Sequence, residues 1–82
     1  MQTWKLAYKG HTIEVTNSLF RERLIVDGEI QEEQTGIAFT RGLHGQINSG
    51  DGTGESINVS IVAGLWSVHC VVLVNDKEVL RT

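Results

Sequence analysis

Apolar and polar side chains alternate singly along most of this chain. In "TWKLAYKG", Trp4, Leu6 and Tyr8 fall on one side and Thr3, Lys5 and Ala7 on the other, the two-residue period of a strand with one buried face. "HTIEVTN" continues the pattern, with Ile13 and Val15 set against Thr12, Glu14 and Thr16. The Lys9-Gly10 link between them is short enough for a tight hairpin. "RLIVDGEIQ" runs Leu24 to Val26 into Asp27-Gly28, a pair favoured where both turn residues need positive φ. "ESINVSIVAG" opposes Ile57, Val59 and Ile61 to Ser56, Asn58 and Ser60. "LWSVHCVVLV" then puts Trp66, Val68, Cys70, Val72 and Val74 on one face. Val71 and Leu73 on its other face predict that the second half is covered on both sides. Asn75-Asp76 turns the chain into "KEVL".

The middle segment, "EEQTGIAFTRGLHGQIN", alternates at Ile37 and Phe39, is interrupted by Gly42, and resumes at Leu43 and Ile47. It predicts two short strands, or one bent at Gly42, because glycine inside a strand commonly marks a bulge or kink. Only "NSLFRERL" could form a helical turn, with Asn17 and Ser18 as caps, and the β-like run that follows leaves it room for one turn at most. The class that results is all-β: a single antiparallel β-sandwich or flattened barrel of seven or eight short strands joined mainly by hairpins. The predicted core is Trp4, Leu6, Tyr8, Ile13, Val15, Leu24, Val26, Ile57, Val59, Ile61, Val68, Cys70, Val72 and Val74.

With 82 residues the chain is one domain, 1–82, with modest stability because a short chain buries little of its surface. Ten acidic side chains against seven basic ones give a formal charge of −3, which supplies no electrostatic reason to bind a phosphate backbone. The aromatic residues do not change this, since Trp4 and Tyr8 are in phase with Leu6 and read as core. No nucleic-acid partner is expected. Cys70 is the single cysteine, so no internal disulfide forms, and the lack of staples in so small a fold favours a reducing, cytoplasmic setting. "MQTWKLAYKG" has no apolar leader segment, and "VVLV" is too short to cross a bilayer, so no membrane partner is expected.

The segment closest to a functional motif is "INSGDGTGESINV", with Gly50, Gly52 and Gly54 around Asp51 and Thr53. A phosphate loop needs a lysine and a following helix, whereas Gly54 is followed by Glu55 and then by strand-like alternation. A calcium loop needs carboxylates at alternating positions, and this loop has too few. The plain hairpin loop is favoured, a mobile connection that would tolerate shortening to Asn-Gly. His69 and Cys70 are adjacent in a strand and point to opposite faces, and His11 and His44 lie in separate segments, so no metal or other cofactor is expected. Cys70 shares its face with valines and reads as core, not as a nucleophile. Glu32 and Glu33 point apart, and Glu22 between Arg21 and Arg23 reads as a solvated charge cluster. No catalytic residue is assigned and no enzyme is expected.

"SLFRER" places Leu19 and Phe20 in a connection beside Arg21 and Arg23. Arginine and aromatic residues together mark interfaces, so these four form the candidate interaction surface; the plainer alternative, which is favoured, folds Phe20 back as a plug over one end of the sandwich.

Three stretches, "WKLAYKGHTIEV", "RLIVDGE" and "SINVSIVAGLWSVHCVVLVNDKEV", resemble the Fas apoptosis inhibitory molecule domain. On that resemblance Trp4, His11, Ile13, Val26, Asp27, Gly28, Ile57, Val59, Val74 and Asn75 fall on framework positions, while "EEQTGIAFTRGLHGQ" departs from the aromatic strand the family carries there. The resemblance implies an antiparallel β-sandwich without catalysis or cofactor, acting by protein contacts. The function expected is a non-catalytic protein-interaction module, self-associating through a strand edge or binding another protein. The alternative is a small-ligand binder using the open end near residues 44–54.

Overall fold

The computed structural model describes residues 1–18, 20–36 and 38–82. Eight strands follow in order: β1 (Gln2–Tyr8), β2 (His11–Asn17), β3 (Arg21–Val26), β4 (Glu29–Thr35), β5 (Thr40–Gln46), β6 (Ser56–Ala63), β7 (Val68–Val74) and β8 (Lys77–Arg81). They form two four-stranded sheets, β1-β2-β3-β4 and β5-β6-β7-β8, in which each strand pairs with the next along the chain. Every pair is antiparallel. Two meanders packed face to face make the small β-sandwich that the alternation predicts. Among the described residues there is no helix, and so none long and apolar enough to cross a membrane.

Three two-residue turns set the register. Lys9 (φ 48°) and Gly10 (φ 81°), Asp27 (φ 51°) and Gly28 (φ 83°), and Asn75 (φ 53°) and Asp76 (φ 64°) all sit in the left-handed region. Positive φ at both central residues gives the hairpin turn whose twist matches that of the strands. Each turn closes on a paired couple, Tyr8 with His11, Val26 with Glu29 and Val74 with Lys77.

The core lies between the sheets and is built from their inward rows. Ile13, Val15, Leu24 and Val26 of the first sheet meet Leu43, Ile57, Val59, Ile61, Cys70, Val72 and Val74 of the second, all buried. Trp4 is buried beside them, and Leu6, Tyr8, Val68, Val79 and Leu80 pack against the margin. Leu43 and Ile47 join this core although their segment alternates weakly. Trp66 does not, because β7 begins only at Val68 and Trp66 falls in the turn before it. The middle segment also differs from expectation. Phe39 precedes β5, Ile37 lies outside the described residues, and β5 runs through Gly42 with no register shift.

No residue of β4 is buried, and its polar side chains join the two sheets. Gln31 Nε2 donates to Gln46 O at 2.7 Å, while Gln46 N donates to Gln31 Oε1 at 2.8 Å. His44 N donates to Glu32 Oε1, and Gln34 Nε2 donates to Gly42 O at 2.7 Å. Residues 42, 44 and 46 present their backbone groups to one edge of β5, the edge turned away from β6. Side chains therefore occupy an edge that would otherwise lie open to strand addition.

This joint requires close approach at Gly45, not at Gly42. A Cβ on Gly45 would lie 2.8 Å from Leu24 Cδ2 and would press on the Gln31 amide that holds Gln46. At Gly42 the nearest atoms would be 3.9 Å away. Gly45→Ala is therefore expected to destabilise the domain by about 1–3 kcal/mol. Gly42→Ala should be neutral or stabilising by up to about 1 kcal/mol. Urea unfolding of the two variants checks this, and equal losses at both positions would refute it.

Candidate functional site

The up-and-down course of the strands collects their connections at two ends of different chemistry. One end gathers the turns at 9–10, 27–28 and 75–76 with the loop from Ile47 to Glu55. The other gathers Ser18 and Phe20 between β2 and β3, Ala38 and Phe39 before β5, and the β6–β7 turn.

At the first end, His11 begins β2 in phase with Ile13 and Val15, so its ring points inward and is buried. Its Nδ1 lies 2.6 Å from Asp27 Oδ2 and its Nε2 lies 2.7 Å from Asp51 O. A carbonyl and a carboxylate only accept, so the site is shaped for the doubly protonated ring, which donates from both nitrogens. The hydrogen bond to Asp27 is the main cause that raises the His11 pKa and, reciprocally, lowers that of Asp27. Asp27 Oδ1 also accepts from Thr12 N at 3.0 Å. Nearby, Glu55 Oε1 accepts from Tyr8 OH and Lys9 Nζ, each at 3.2 Å. The β5–β6 loop of the second sheet is thus fastened to the first.

The loop itself is closed by Gly54 N donating to Ile47 O at 2.8 Å and Glu55 N donating to Gly52 O at 2.9 Å. Gly52 (φ 83°) packs where a Cβ would lie 3.2 Å from Lys9 Cδ and 3.3 Å from Ile47 Cδ1. The loop is therefore folded onto β1 rather than extended into solvent. Cutting it to Asn-Gly would remove the carbonyl that His11 holds and the Glu55 contacts to β1.

The opposite end is apolar and open. The Gly64–Ser67 turn raises Leu65 (91% exposed) and Trp66 (95% exposed) into solvent. Gly64 N, donating to Ser67 O at 2.8 Å, closes that turn. Beside it, Phe39 is 74% exposed, and its carbonyl accepts from Ala63 N at 2.7 Å. Between the sheets at this end lies a hollow of about 390 Å³. Met1, Ala38, Phe39, Ala63 and Val68 give it apolar walls, and Asn17, Ser18 and Glu22 line its polar side.

Glu22 is the unexpected member. It is 3% exposed, because its place in β3 is in phase with the buried Leu24 and Val26. The solvated-cluster reading of Glu22 is overturned by that phase. Oε1 accepts from Asn17 Nδ2 at 3.2 Å. Oε2 faces Arg41 Nε of the other sheet at 3.3 Å, an ionic contact without hydrogen-bond alignment. Arg41 donates instead from Nη1 to Gln34 Oε1 and from Nη2 to Gly36 O, both at 3.1 Å.

Of the residues singled out in "SLFRER", Leu19 lies outside the described residues. Phe20 is 55% exposed and is not a buried plug. It borders a second, shallower hollow with Ser18, Arg21, Thr35 and Gly36. Arg21 and Arg23 both approach Glu33, Arg21 Nε at 4.0 Å and Arg23 closer. These bonds, Arg23 foremost, lower the Glu33 pKa. Phe39, Leu65, Trp66, Glu22 and Arg41 were missed as site residues. The flanking Gly64 and Ser67 were the available signal that Trp66 sits in a turn.

The histidines are dispersed. His44 Nδ1 lies 2.6 Å from Asn58 Oδ1, and His69 Nε2 lies 3.0 Å from Ser67 Oγ. No group of three or more histidine, cysteine or carboxylate side chains with metal-binding spacing occurs among the described residues. Cys70 is fully buried, and burial pushes its thiol pKa up to about 11. The chain matches no protein family, no curated protein and no solved structure in the comparisons made.

The His11 clasp implies a pH dependence of defined sign. A raised His11 pKa stabilises the fold fully below the ordinary histidine value of 6.5, and this is lost as pH rises through the folded value. A lowered Asp27 pKa stabilises above 3.8, and this is lost as pH falls through the folded value. The urea midpoint of the protein should therefore be higher at about pH 5.5 than at about pH 9. In His11→Gln that difference should shrink, and an unchanged pH profile in the variant would contradict the clasp.

Proposed function

We propose that this domain is a non-catalytic protein-interaction module that docks through its apolar end. The observation that carries the proposal is the gathering of Phe20, Phe39, Leu65 and Trp66, all exposed, on connections at that one end. Clustered exposed apolar groups on a small domain mark interaction sites, and tryptophan is the residue most enriched among binding hot spots. The opposite end, where a small-ligand site near residues 44–54 was the alternative, is occupied by the His11 clasp and the folded loop.

The partner's chemistry follows from charge. Arg21 and Arg23 share one carboxylate, Glu33, which leaves one positive charge in excess beside Phe20. A partner surface with apolar sockets flanked by carboxylates complements this end. The likeness of "WKLAYKGHTIEV" and "RLIVDGE" to the Fas apoptosis inhibitory molecule domain supports the same reading, a sandwich that acts by contact and without a cofactor. A cytoplasmic setting belongs to the proposal through the lone, buried Cys70. Self-association is a narrower form of it. β1, an outer strand paired only with β2, offers seven residues of unpaired edge without proline.

The test is quantitative capture from cell extract followed by reconstitution with the purified partner. Trp66→Ser should weaken the reconstituted complex by about 2 kcal/mol or more. Raised salt should weaken it further, and Lys77→Ser at the far end should leave it intact. A partner that binds Trp66→Ser as well as the native protein would refute docking at this end. Sedimentation of the native protein at high concentration tests the edge, and a strict monomer removes self-association.

A further inference from the structure

We propose that His11 is a proton-operated latch for the β5–β6 loop. When Nε2 gives its proton to solvent, the ring keeps its hold on Asp27 and releases the Asp51 carbonyl. The loop tip at residues 50–52 then lifts from the first sheet. This device sits at the end opposite the docking surface and does not depend on the docking reading.

The buried ring lies between two acceptors, the Asp27 carboxylate 2.6 Å from Nδ1 and the Asp51 carbonyl 2.7 Å from Nε2. A neutral imidazole has one N–H and can serve only one of them. Asp27 is the stronger claimant, because it is charged and its other oxygen is fixed by Thr12 N. A lone pair turned toward Asp27 would meet a full negative charge, whereas toward Asp51 it meets only a carbonyl dipole. The neutral ring therefore carries its proton on Nδ1, and Nε2 has nothing to offer the loop.

The loop is built to move on this one contact. Its bonds from Gly54 N to Ile47 O, Glu55 N to Gly52 O and Thr53 Oγ1 to Gly50 O are internal. Among the described residues, its polar ties to the first sheet are Asp51 O to His11 at the tip and Glu55 Oε1 to Tyr8 and Lys9 at the foot. Gly50 packs on the ring, where a Cβ would lie 3.5 Å from His11 Cε1, and Gly52 stands over Ile47 Cδ1. Loss of the tip contact uncovers the ring and Ile47 while the foot stays fastened. The charged groups facing the ring are Asp27 of the β3–β4 turn and Asp51 of the loop. Both favour its charged form against the opposing effect of burial. Beside it, Glu55 is paired with Lys9 and Tyr8 of the β1–β2 hairpin. The latch therefore holds at low pH and opens as pH rises through the raised His11 value.

Asp27→Asn separates a latch from a merely structural contact. Asparagine tolerates the left-handed backbone at this position (φ 51°). Its amide oxygen can keep Thr12 N, and its amide nitrogen can donate to Nδ1. The neutral ring would then carry its proton on Nε2 and go on holding Asp51 O. In NMR titrations from about pH 5.5 to about pH 9, the native ring should pass from doubly protonated to the Nδ1–H tautomer, read from its nitrogen shifts. NOE contacts between the ring and Gly50 should be lost in the same step, with the signals of β2 and β6 in place. In Asp27→Asn those contacts should persist to the top of the range, with the ring protonated on Nε2. The native protein tests the latch even if the variant does not fold. A neutral native ring protonated on Nε2, or ring–Gly50 contacts that survive its deprotonation, would overturn the proposal. So would loss of the strand signals together with those contacts, or the same release in folded Asp27→Asn.

Discussion

The constraint on which this structure depends is that each of its two four-stranded meanders has one apolar face and nothing but the other meander to bury it against. A lone hairpin or sheet of this size is marginal in water, so Ile13, Val15, Leu24 and Val26 are stable as strand residues only with Ile57, Val59, Ile61 and Val72 opposite them. The contact also dictates where polar groups must be answered. At two places where an inward row meets the margin of the apolar zone, a polar residue takes an inward place and meets a group of the other sheet. Glu22 with Arg41 does this at one end, and His11 with the Asp51 carbonyl at the other, while Asp27 of its own sheet holds the second ring nitrogen.

The two ends differ in how much apolar surface they leave uncovered, since each holds one buried carboxylate oxygen without a donor, Glu55 Oε2 at the closed end and Glu22 Oε2 at the open one. At the His11 end every hydrogen-bonding position of the ring is occupied, and the glycine loop is folded down by its own backbone bonds. At the other end Glu22 Oε2 lacks a donor, the walls part into a hollow, and large apolar side chains stand in solvent. The open end retains uncovered apolar surface, a property that binding consumes.

The side-chain seam between β4 and β5 explains why two sheets remain two. Strands β4 and β5 are adjacent in the chain and meet in space, but Gln31, Glu32 and Gln34 fill the ladder positions that a neighbouring backbone would take. Side chains are longer than the spacing of a ladder, so the sheets can stack face to face instead of continuing as one. Gly45 lets Leu24 and Gln31 approach closely enough for this. β4 reads from sequence as merely hydrophilic, and its role is invisible until its partner edge is in view.

The sequence by itself determined the strands outside the middle segment, the three positive-φ turns and the core apart from Leu43 and Ile47, because these follow from a two-residue period and from residues that tolerate a left-handed backbone. Glu22 shares the inward phase of Leu24 and Val26, but the arginines on either side argue in the sequence for a solvated charge, and that argument misleads. Only the tertiary structure decided which end of the sandwich is closed. His11 and Asp51 lie forty residues apart, and Glu22 and Arg41 sit on different sheets, so no local pattern records either pairing. Trp66 shows the same limit from the other side. It continues the apolar phase of Val68 and Cys70, but the β6–β7 register ends at Ala63 and Val68, and a residue beyond the last paired couple has no opposing sheet to bury it.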